Sequence, residues 1–200
     1  MADESFEAIE KTLKKAIAAL REAEVPVLLG GSLAIWARGG PETRHDLDFM
    51  LKPEDAERAL GVLADAGMRP EKPPEAWLYK AWDENVLIDL IFQPRGLEMT
   101  DEVFERGEDR EVLSISARLM SLEDVFTTKL LAIEEHSANF SGVLLMTRAL
   151  REQIDWDGLR ERTRSSPFAK AFFVLAEELG IAPHGGERRE GARPRVRVVE

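Results

Sequence analysis

Two aspartates separated by one residue are the first feature of this sequence that could bind a metal ion. Asp46 and Asp48 alternate with the apolar residues Leu47 and Phe49. On a β-strand, residues two apart project from the same face, so both carboxylates would lie on one side of a sheet and the apolar pair on the other. Two neighbouring carboxylates form a ligand set for Mg²⁺. The alternative is a solvated edge strand.

A third aspartate, Asp89, lies within an otherwise apolar stretch, residues 86–92. A stretch that is apolar on both faces is typical of a central strand that is covered from both sides. An isolated ionised carboxylate is costly there, so Asp89 needs a cation, a charged partner or a proton. We therefore predict that Asp89 completes a three-carboxylate site with Asp46 and Asp48. The alternative is an aspartate that hydrogen-bonds to loop backbone near the end of the strand.

Gly30, Gly31 and Ser32 follow an apolar run, residues 25–29, and could hold a phosphate. Glycines lack the side chains that keep a backbone away from a ligand, and Ser32 is placed to cap the helix predicted over residues 33–38. The unpaired N–H groups at the start of a helix attract a phosphate. The alternative is an ordinary tight turn between a strand and a helix.

Lys129 falls in the apolar face of a predicted helix that begins at a capping box of Ser121 and Asp124 and runs to about His136. A lysine directed inward usually returns its ammonium group to solvent, but it can instead point into a cleft that holds phosphates. Both interpretations stay open for Lys129. His136 is interpreted as a helix-end histidine that the helix dipole favours.

Hydrophobic periodicity and capping residues predict the elements that would position these residues. Helices are predicted at 4–23, 33–38, 53–66, 100–106, 121–136, 141–153, 156–162 and 167–179, with caps at Thr100, Asp155 and Ser166. Strands are predicted at 25–29, 46–51, 77–82, 86–92 and 111–117. A turn at 83–85 joins two of these strands as a hairpin, and residues 70–74 are predicted to form a loop.

The composition is that of a soluble globular protein with 200 residues, enough for one domain or two small ones. The absence of cysteine excludes disulfides, thiolate metal sites and cysteine nucleophiles. No apolar run is long enough to span a bilayer, and the first residues lack the pattern of a signal peptide, so a cytoplasmic location without membrane contact is expected. The net charge of −11 disfavours a broad nucleic-acid-binding surface and suits a metal site or a cationic small molecule.

Three motifs together resemble the active-site pattern of the DNA polymerase beta-like nucleotidyltransferase superfamily. They are Gly30-Gly31-Ser32, the pair Asp46 and Asp48, and Asp89 on an apolar strand. More narrowly, the chain resembles small bacterial nucleotidyltransferase proteins related to abortive-infection toxins. In those proteins a Ser-x-Glu-Asp segment leads to a Lys-Leu pair, as Ser121 to Asp124 leads to Lys129 and Leu130 here. The similarity covers residues 25–180.

The resemblance implies an α+β fold, in which a small mixed β-sheet nucleotidyltransferase core is flanked by helices and followed by a C-terminal helical part. The core would span residues 1–118 and the helical part 119–182. Residues 183–200, which are rich in Gly, Arg and Glu, are predicted to form a flexible tail.

The resemblance also implies the chemistry, which is transfer of a nucleoside monophosphate from an NTP to a hydroxyl or phosphate acceptor. Asp46, Asp48 and Asp89 would be catalytic residues and ligands of two Mg²⁺ ions. Gly30-Gly31-Ser32 and Lys129 would bind the nucleotide. The acceptor would be a small cationic molecule or, if the basic residues at 148–170 formed a wall, an RNA end.

A second hypothesis is a catalytically weak or inactive nucleotide-binding or partner-binding module, such as a toxin–antitoxin component with a partner protein. Three departures from the relatives support it. Arg44 stands where many relatives have a threonine, Glu42 where they have an arginine, and Asn139 where they often have an acidic residue. These departures leave the proposed metal carboxylates intact.

Overall fold

The structure is a computed structural model that describes residues 2–41, 46–135 and 138–185. Glu42, Arg44 and His136 lie outside the described residues, so the structure does not test the predictions that concern them. Most of the predicted tail, residues 186–200, also lies outside. Among the described helices, none combines the length and the apolar character that crossing a membrane requires.

Seven strands form one mixed sheet in the described part of the chain. They are β1 Leu28–Leu29, β2 Leu47–Met50, β3 Arg69–Glu71, β4 Leu78–Asp83, β5 Val86–Ile91, β6 Glu108–Val112 and β7 Ile115–Leu119. Their order across the sheet is β3-β4-β5-β2-β1-β7-β6. The pairs β2–β5 and β1–β7 are parallel, and the other neighbours are antiparallel.

Eight α-helices accompany the sheet in the described residues. They are α1 Ala2–Glu22, α2 Gly31–Trp36, α3 Ala56–Asp65, α4 Asp101–Glu105, α5 Leu122–Leu131, α6 Ser141–Leu150, α7 Trp156–Thr163 and α8 Pro167–Glu178. A 3₁₀ turn, Pro53–Asp55, leads into α3. The mixed sheet with its helices confirms the predicted α+β class, and the division at residue 118 stays a prediction.

The helices α1 and α3 pack against each other and against β5. Their apolar stripes are buried as the sequence periodicity predicts, with Leu13 and Leu20 of α1 and Leu63 of α3 fully enclosed. On β5 and its neighbour β2, Leu90 and Phe49 are also fully buried. These two helices therefore hold the strands on which the predicted aspartates lie.

The predicted helix starts are mostly correct. The side chain of Ser121 accepts a hydrogen bond of 3.2 Å from the backbone N–H of Asp124. Asp155 and Ser166 likewise accept hydrogen bonds at the starts of α7 and α8. Thr100 stands at the start of α4 but makes no capping bond through its side chain. The prediction that Ser32 caps α2 is wrong, because Gly30 is the capping residue and Ser32 lies inside the helix.

Two segments differ from the predicted strands and loops. Pro70, predicted in a loop, lies in β3 and pairs with Ala81, which is possible because β3 is an edge strand where a missing N–H need not face a partner. The single strand predicted at 111–117 is instead the hairpin of β6 and β7. Its turn residues Leu113 and Ser114 both have positive φ, 51° and 61°, without the Gly or Asn that would signal such a turn.

Two further elements are shorter or less covered than the sequence suggests. The helix predicted to reach His136 ends at Leu131, where Ala132 closes it. The strand β5 lies inside the sheet between β4 and β2, but its two faces are not equally covered, because Ile88 and Leu90 on one face are buried. On the other face Leu87 and Asp89 stay partly exposed. This face is the one that carries the charged residues of the candidate site.

A buried carboxylate ties α5 to its neighbours. Asp124 is completely buried, and it accepts two hydrogen bonds of 3.1 Å from the guanidinium of Arg106 at the end of α4. Arg162 of α7 donates a third, at 2.7 Å. The guanidinium of Arg38, after α2, donates to the carbonyl oxygen of Met120 just before α5. These contacts fix the position of the helix that carries Lys129.

Candidate active site

Sheet pairing places four charged residues in one row across the sheet. Asp48 on β2 is the neighbour of Asp89 on β5. Asp89 is opposite Lys80 on β4, and Lys80 is opposite Glu71 on β3. Because directly paired residues project from the same face, the four side chains lie side by side. The structure thus brings together two of the three predicted carboxylates and adds a lysine that the sequence analysis missed.

Asp46 immediately precedes β2, two residues before Asp48, and its negative charge raises the pKa of both Asp48 and Asp89. The pKa of Asp48 is raised to about 6, first because its carboxyl group is largely removed from water and then because Asp89 and Asp46 add negative charge. Lys129 and the backbone N–H of Ser32 oppose this rise in the pKa. Burial and the neighbouring carboxylates therefore disfavour the charged form of Asp48.

The start of α2 lies directly against Asp48. Gly31 has a φ of +54°, and a Cβ at this position would lie 1.6 Å from the Oδ2 atom of Asp48. A Cβ at Gly30 would lie 2.8 Å from the Cε atom of Met50. Gly31 is thus needed for the close approach to Asp48, whereas Gly30 lies against the flexible side chain of Met50. The group that the missing side chain of Gly31 admits in this structure is the Asp48 carboxylate.

We expect Gly31→Ala to lower the free energy of unfolding by about 1–3 kcal/mol, because the new Cβ would occupy the place of the Asp48 carboxylate in a backbone conformation that disfavours side chains. Gly61→Ala is the matched control, since a Cβ there meets nothing within 4 Å. This helix-interior change should raise stability by about 0.5–1 kcal/mol. Urea unfolding measures both, and equal effects of the two substitutions would contradict the close contact at Gly31.

A cavity of about 560 Å³ opens beside Asp48. The charged residues Asp48 and Lys129 line it together with the backbone of Gly31. Its apolar wall consists of Met50, Trp77, Ile91, Pro94 and Ala132. The side chain of Trp77 is 44% exposed, so it presents a ring to whatever enters.

Lys129 lines this cavity from α5, so of its two sequence interpretations the structure favours the cleft. Burial lowers the pKa of Lys129, and the negative charge of Asp48 opposes that shift. An ion pair between Arg95 and Glu134, which both line the cavity, joins the loop after β5 to the segment after α5. The cavity is therefore enclosed by residues from both the sheet and α5.

Asp89 has a charged partner, which is one of the three compensations predicted for it. The ammonium group of Lys80 donates a hydrogen bond of 3.0 Å to its Oδ1 atom. Burial raises the pKa of Asp89, with Asp46 and Glu71 adding to the rise and Lys80 opposing it. The pKa of Lys80 is also raised, because the nearby carboxylates of Asp89, Asp46 and Glu71 outweigh the effect of burial.

The sequence did contain a signal for Lys80. A two-residue turn at Glu84-Asn85 pairs Asp83 with Val86, and three residues further along each strand it pairs Lys80 with Asp89. The sequence predicted this hairpin but not its register, because the predicted turn at 83–85 is one residue longer and would pair Lys80 with Ile88 instead of Asp89. Trp77, Arg95 and Glu134 had no comparable signal, because their approach to the cavity depends on how α5 packs against the sheet.

The donor chemistry of the carboxylates fits a hard divalent cation. In the described residues no three acidic or histidine side chains converge closely enough to form a ready metal cluster. However, Asp48 and Asp89 are paired on one face, the charge of Asp46 acts on both, and the three carboxylates offer the oxygen ligands that Mg²⁺ prefers. In this structure Asp89 forms an ion pair with the ammonium group of Lys80.

Asn139 and the basic residues of the C-terminal helices have structural partners. Asn139 accepts a hydrogen bond of 2.9 Å from the backbone N–H of Ser141 at the start of α6. Four arginines of the region proposed as a basic wall form ion pairs with acidic residues of this chain, namely Arg151, Arg160, Arg162 and Arg164. Their charges are thus partly neutralised within the protein.

Comparison with known proteins finds one matching family model and several solved structures with a similar fold. The model of a family described as uncharacterised nucleotidyltransferase matches residues 3–181. A solution structure of the antibiotic-resistance factor ANT(2'')-Ia is similar, with a TM-score of 0.60 at 16% identity over 90% of this chain and 99% of that chain. A crystal structure of ANT(2'')-Ia in complex with adenylyl-2''-tobramycin has a TM-score of 0.59 at 16% identity, over 83% and 97% of the two chains. At this identity the likeness shows the fold alone. No curated protein matches the sequence.

Proposed function

The chain belongs to the family of uncharacterised nucleotidyltransferases, and we propose that it moves a nucleoside monophosphate from an NTP to an acceptor in a metal-dependent reaction that releases pyrophosphate. The observation that carries the proposal is the cavity in which Asp48, Lys129 and Gly31 meet, beside the row that contains Asp89. Its volume of about 560 Å³ is within the range of small-molecule sites. The narrower relationship to the polymerase beta-like superfamily and to abortive-infection proteins is part of this proposal.

Asp46, Asp48 and Asp89 would hold the divalent metal, with two Mg²⁺ ions expected. The metal would supply Lewis-acid stabilisation of the phosphoryl oxygens. Asp48 is suited to this role at neutral pH, because a pKa of about 6 leaves its carboxyl group mostly ionised. Asp89, which lies in the row between Asp48 and Lys80, would accept the proton of the acceptor hydroxyl.

The nucleotide phosphates would lie between α5 and the start of α2. Lys129 would neutralise the charge that builds on the departing pyrophosphate. Gly30 and Gly31 would let the backbone approach the phosphates, and Ser32 would contribute its backbone N–H, which interacts with Asp48 in the unliganded protein. The apolar wall with Trp77 would exclude water from one side of the bound substrate.

We expect Lys129→Met to weaken NTP binding about 10- to 100-fold, because a charge-assisted contact to phosphate is worth about 1.5–3 kcal/mol. Lys170→Met is the control, since Lys170 is exposed on α8. Equilibrium titration with a fluorescent NTP analogue measures both variants. If Lys129→Met bound the nucleotide as tightly as Lys170→Met does, the assignment of Lys129 would be wrong.

The test of the proposed reaction is pyrophosphate release from each of the four NTPs with Mg²⁺, across a panel of acceptors. Chelation of the metal should stop the reaction. Absence of both nucleotide binding and divalent-ion binding would refute the proposal. The nucleotide preference would emerge from the same panel, because the proposed contacts address charge rather than the base.

A small cationic molecule is the better-supported acceptor class. The chain carries a net charge of −11, and the ion pairs of Arg151, Arg160, Arg162 and Arg164 reduce the positive charge available to an RNA. ANT(2'')-Ia, which shares the fold, has been crystallised with an adenylylated tobramycin. Steep salt dependence of RNA binding would instead favour an RNA end.

A catalytically weak or inactive nucleotide-binding module, with or without a partner protein, is the second candidate. One observation favours it, namely that the proposed base Asp89 is already paired with Lys80. NTP binding without pyrophosphate release for any acceptor would support this candidate.

A further inference from the structure

We propose that Lys80 is a built-in counter-cation of the metal site, which holds Asp89 in the unliganded protein and moves to Glu71 when a divalent ion binds. This inference rests on the proposed metal site. In this proposal the ammonium group of Lys80 competes directly with the metal for the carboxylate of Asp89. Lys80 would therefore set the metal affinity without being a metal ligand or a catalytic residue.

The position of Lys80 is fixed by the sheet. It lies opposite Asp89 on one side and opposite Glu71 on the other, so its side chain projects between two carboxylates. Its Nζ atom lies 3.0 Å from the Oδ1 atom of Asp89. The two side chains are only 23% and 15% exposed, so water competes weakly for this contact.

The charges around Lys80 explain why a cation is needed there before a metal arrives. Asp48 and Asp89 are neighbours on one face and Asp46 acts electrostatically on both, so the three like charges repel one another. Lys129 offsets the charge of Asp48 from the cavity side. The ammonium group of Lys80 does the same for Asp89, since a partly buried carboxylate without a partner is costly.

Glu71 offers a second place for the displaced ammonium group. Its carboxylate already accepts a hydrogen bond of 2.9 Å from the indole N–H of Trp82 and lies 3.6 Å from the Nη1 atom of Arg69. These contacts keep Glu71 in place on β3. The flexible four-carbon stem of a lysine can turn from one cross-strand neighbour to the other without any change in the backbone.

The test is calorimetric titration of the metal-free protein with Mn²⁺ alone, which needs no turnover. We expect Lys80→Met to bind Mn²⁺ about tenfold more tightly than wild type, because a competing positive charge is gone. Lys15→Met is the matched control. Lys15 also pairs with a partly buried aspartate of β4, Asp83, at 2.6 Å, but on the opposite face of the sheet. The Lys15→Met variant should bind Mn²⁺ with the same affinity as wild type.

A second substitution tests the movement to Glu71. Glu71→Gln should weaken Mn²⁺ binding in the wild-type background, because the displaced ammonium group loses its alternative partner. The same substitution should have no effect in the Lys80→Met background. Circular dichroism establishes that each variant is folded, and Lys80→Gln provides a polar replacement with the same expected gain if Lys80→Met is unfolded.

The outcomes separate this inference from the proposed function. If wild type binds Mn²⁺ in a way that requires Asp48, but Lys80→Met and Lys80→Gln bind it no more tightly, the role of Lys80 is refuted and the metal site stands. An equal gain in Lys15→Met would also refute it, because the effect would then reflect net charge. If wild type and the Lys80 variants all fail to bind Mn²⁺, both the inference and the metal-dependent function fall.

Discussion

Asp48→Asn is expected to lower NTP turnover by about a thousandfold or more, since it removes the carboxylate at the centre of the proposed metal and phosphate site. Asp48 lies between Asp89 on the neighbouring strand and Lys129 across the cavity, and the start of α2 contacts it directly. An asparagine keeps the shape of the side chain but loses its charge. The measurement is the single-turnover rate of pyrophosphate release at saturating NTP and Mg²⁺.

The same substitution should stabilise the metal-free protein at high pH. The pKa of Asp48 is raised to about 6 in the folded protein, so between about pH 4 and 6 the folded state binds more protons than the unfolded state does. The stability of wild type therefore falls as the pH rises through this window. Asp48→Asn removes that loss, and its advantage should be near zero at pH 4 and at most about 3 kcal/mol at pH 8.

Asp83→Asn is the control for both effects. Asp83 is also a partly buried aspartate of the sheet, but it accepts hydrogen bonds from Lys15 and Thr12 on the face opposite the cavity. Its pKa is lowered, because these hydrogen bonds and the charge of Lys15 outweigh burial. Asp83→Asn should therefore destabilise the protein and leave turnover largely unchanged. Full activity of Asp48→Asn, or its destabilisation at pH 8, would remove Asp48 from the proposed site.

Asp124→Ala should lower the free energy of unfolding by about 3–5 kcal/mol, the usual cost of breaking a buried ion pair. Its carboxylate is completely buried and receives hydrogen bonds from Arg106 and Arg162, which come from α4 and α7. The substitution leaves both guanidinium groups without the carboxylate that accepts their hydrogen bonds. Urea unfolding measures the change, which is a large share of the roughly 5–15 kcal/mol typical of a folded domain.

The control is Asp109→Ala, which breaks the Arg118–Asp109 ion pair on the surface, where the aspartate side chain is 69% exposed. Its cost should stay below about 1 kcal/mol. Asp124→Ala should also weaken NTP binding under conditions where it is folded, because α5 carries Lys129. If Asp124→Ala lowered the free energy of unfolding no more than Asp109→Ala does, the ion pairs of Asp124 would not stabilise the packing of α5 against its neighbours.

The positions of several helices and strands follow closely from local sequence patterns. Ser121 caps α5 as predicted, because a serine hydroxyl and the backbone N–H three residues later form the same contact wherever a helix starts. The alternation around Asp48 likewise identifies a strand with one charged face. By contrast, the turn at Leu113 and Ser114 has no local signal, and the pairing of β6 with β7 imposes its positive φ angles.

The sequence by itself determined which residues could do chemistry, because the types and local spacing of Gly31, Asp48, Asp89 and Lys129 are properties of the chain. Only the tertiary structure decided which of them meet. Asp48 and Asp89 are neighbours because β2 and β5 are paired in parallel, a contact between segments about forty residues apart that no local pattern encodes. Lys80 shows both contributions, since the sequence predicted the hairpin that carries it, but the folded sheet, with a turn one residue shorter than predicted, paired it with Asp89.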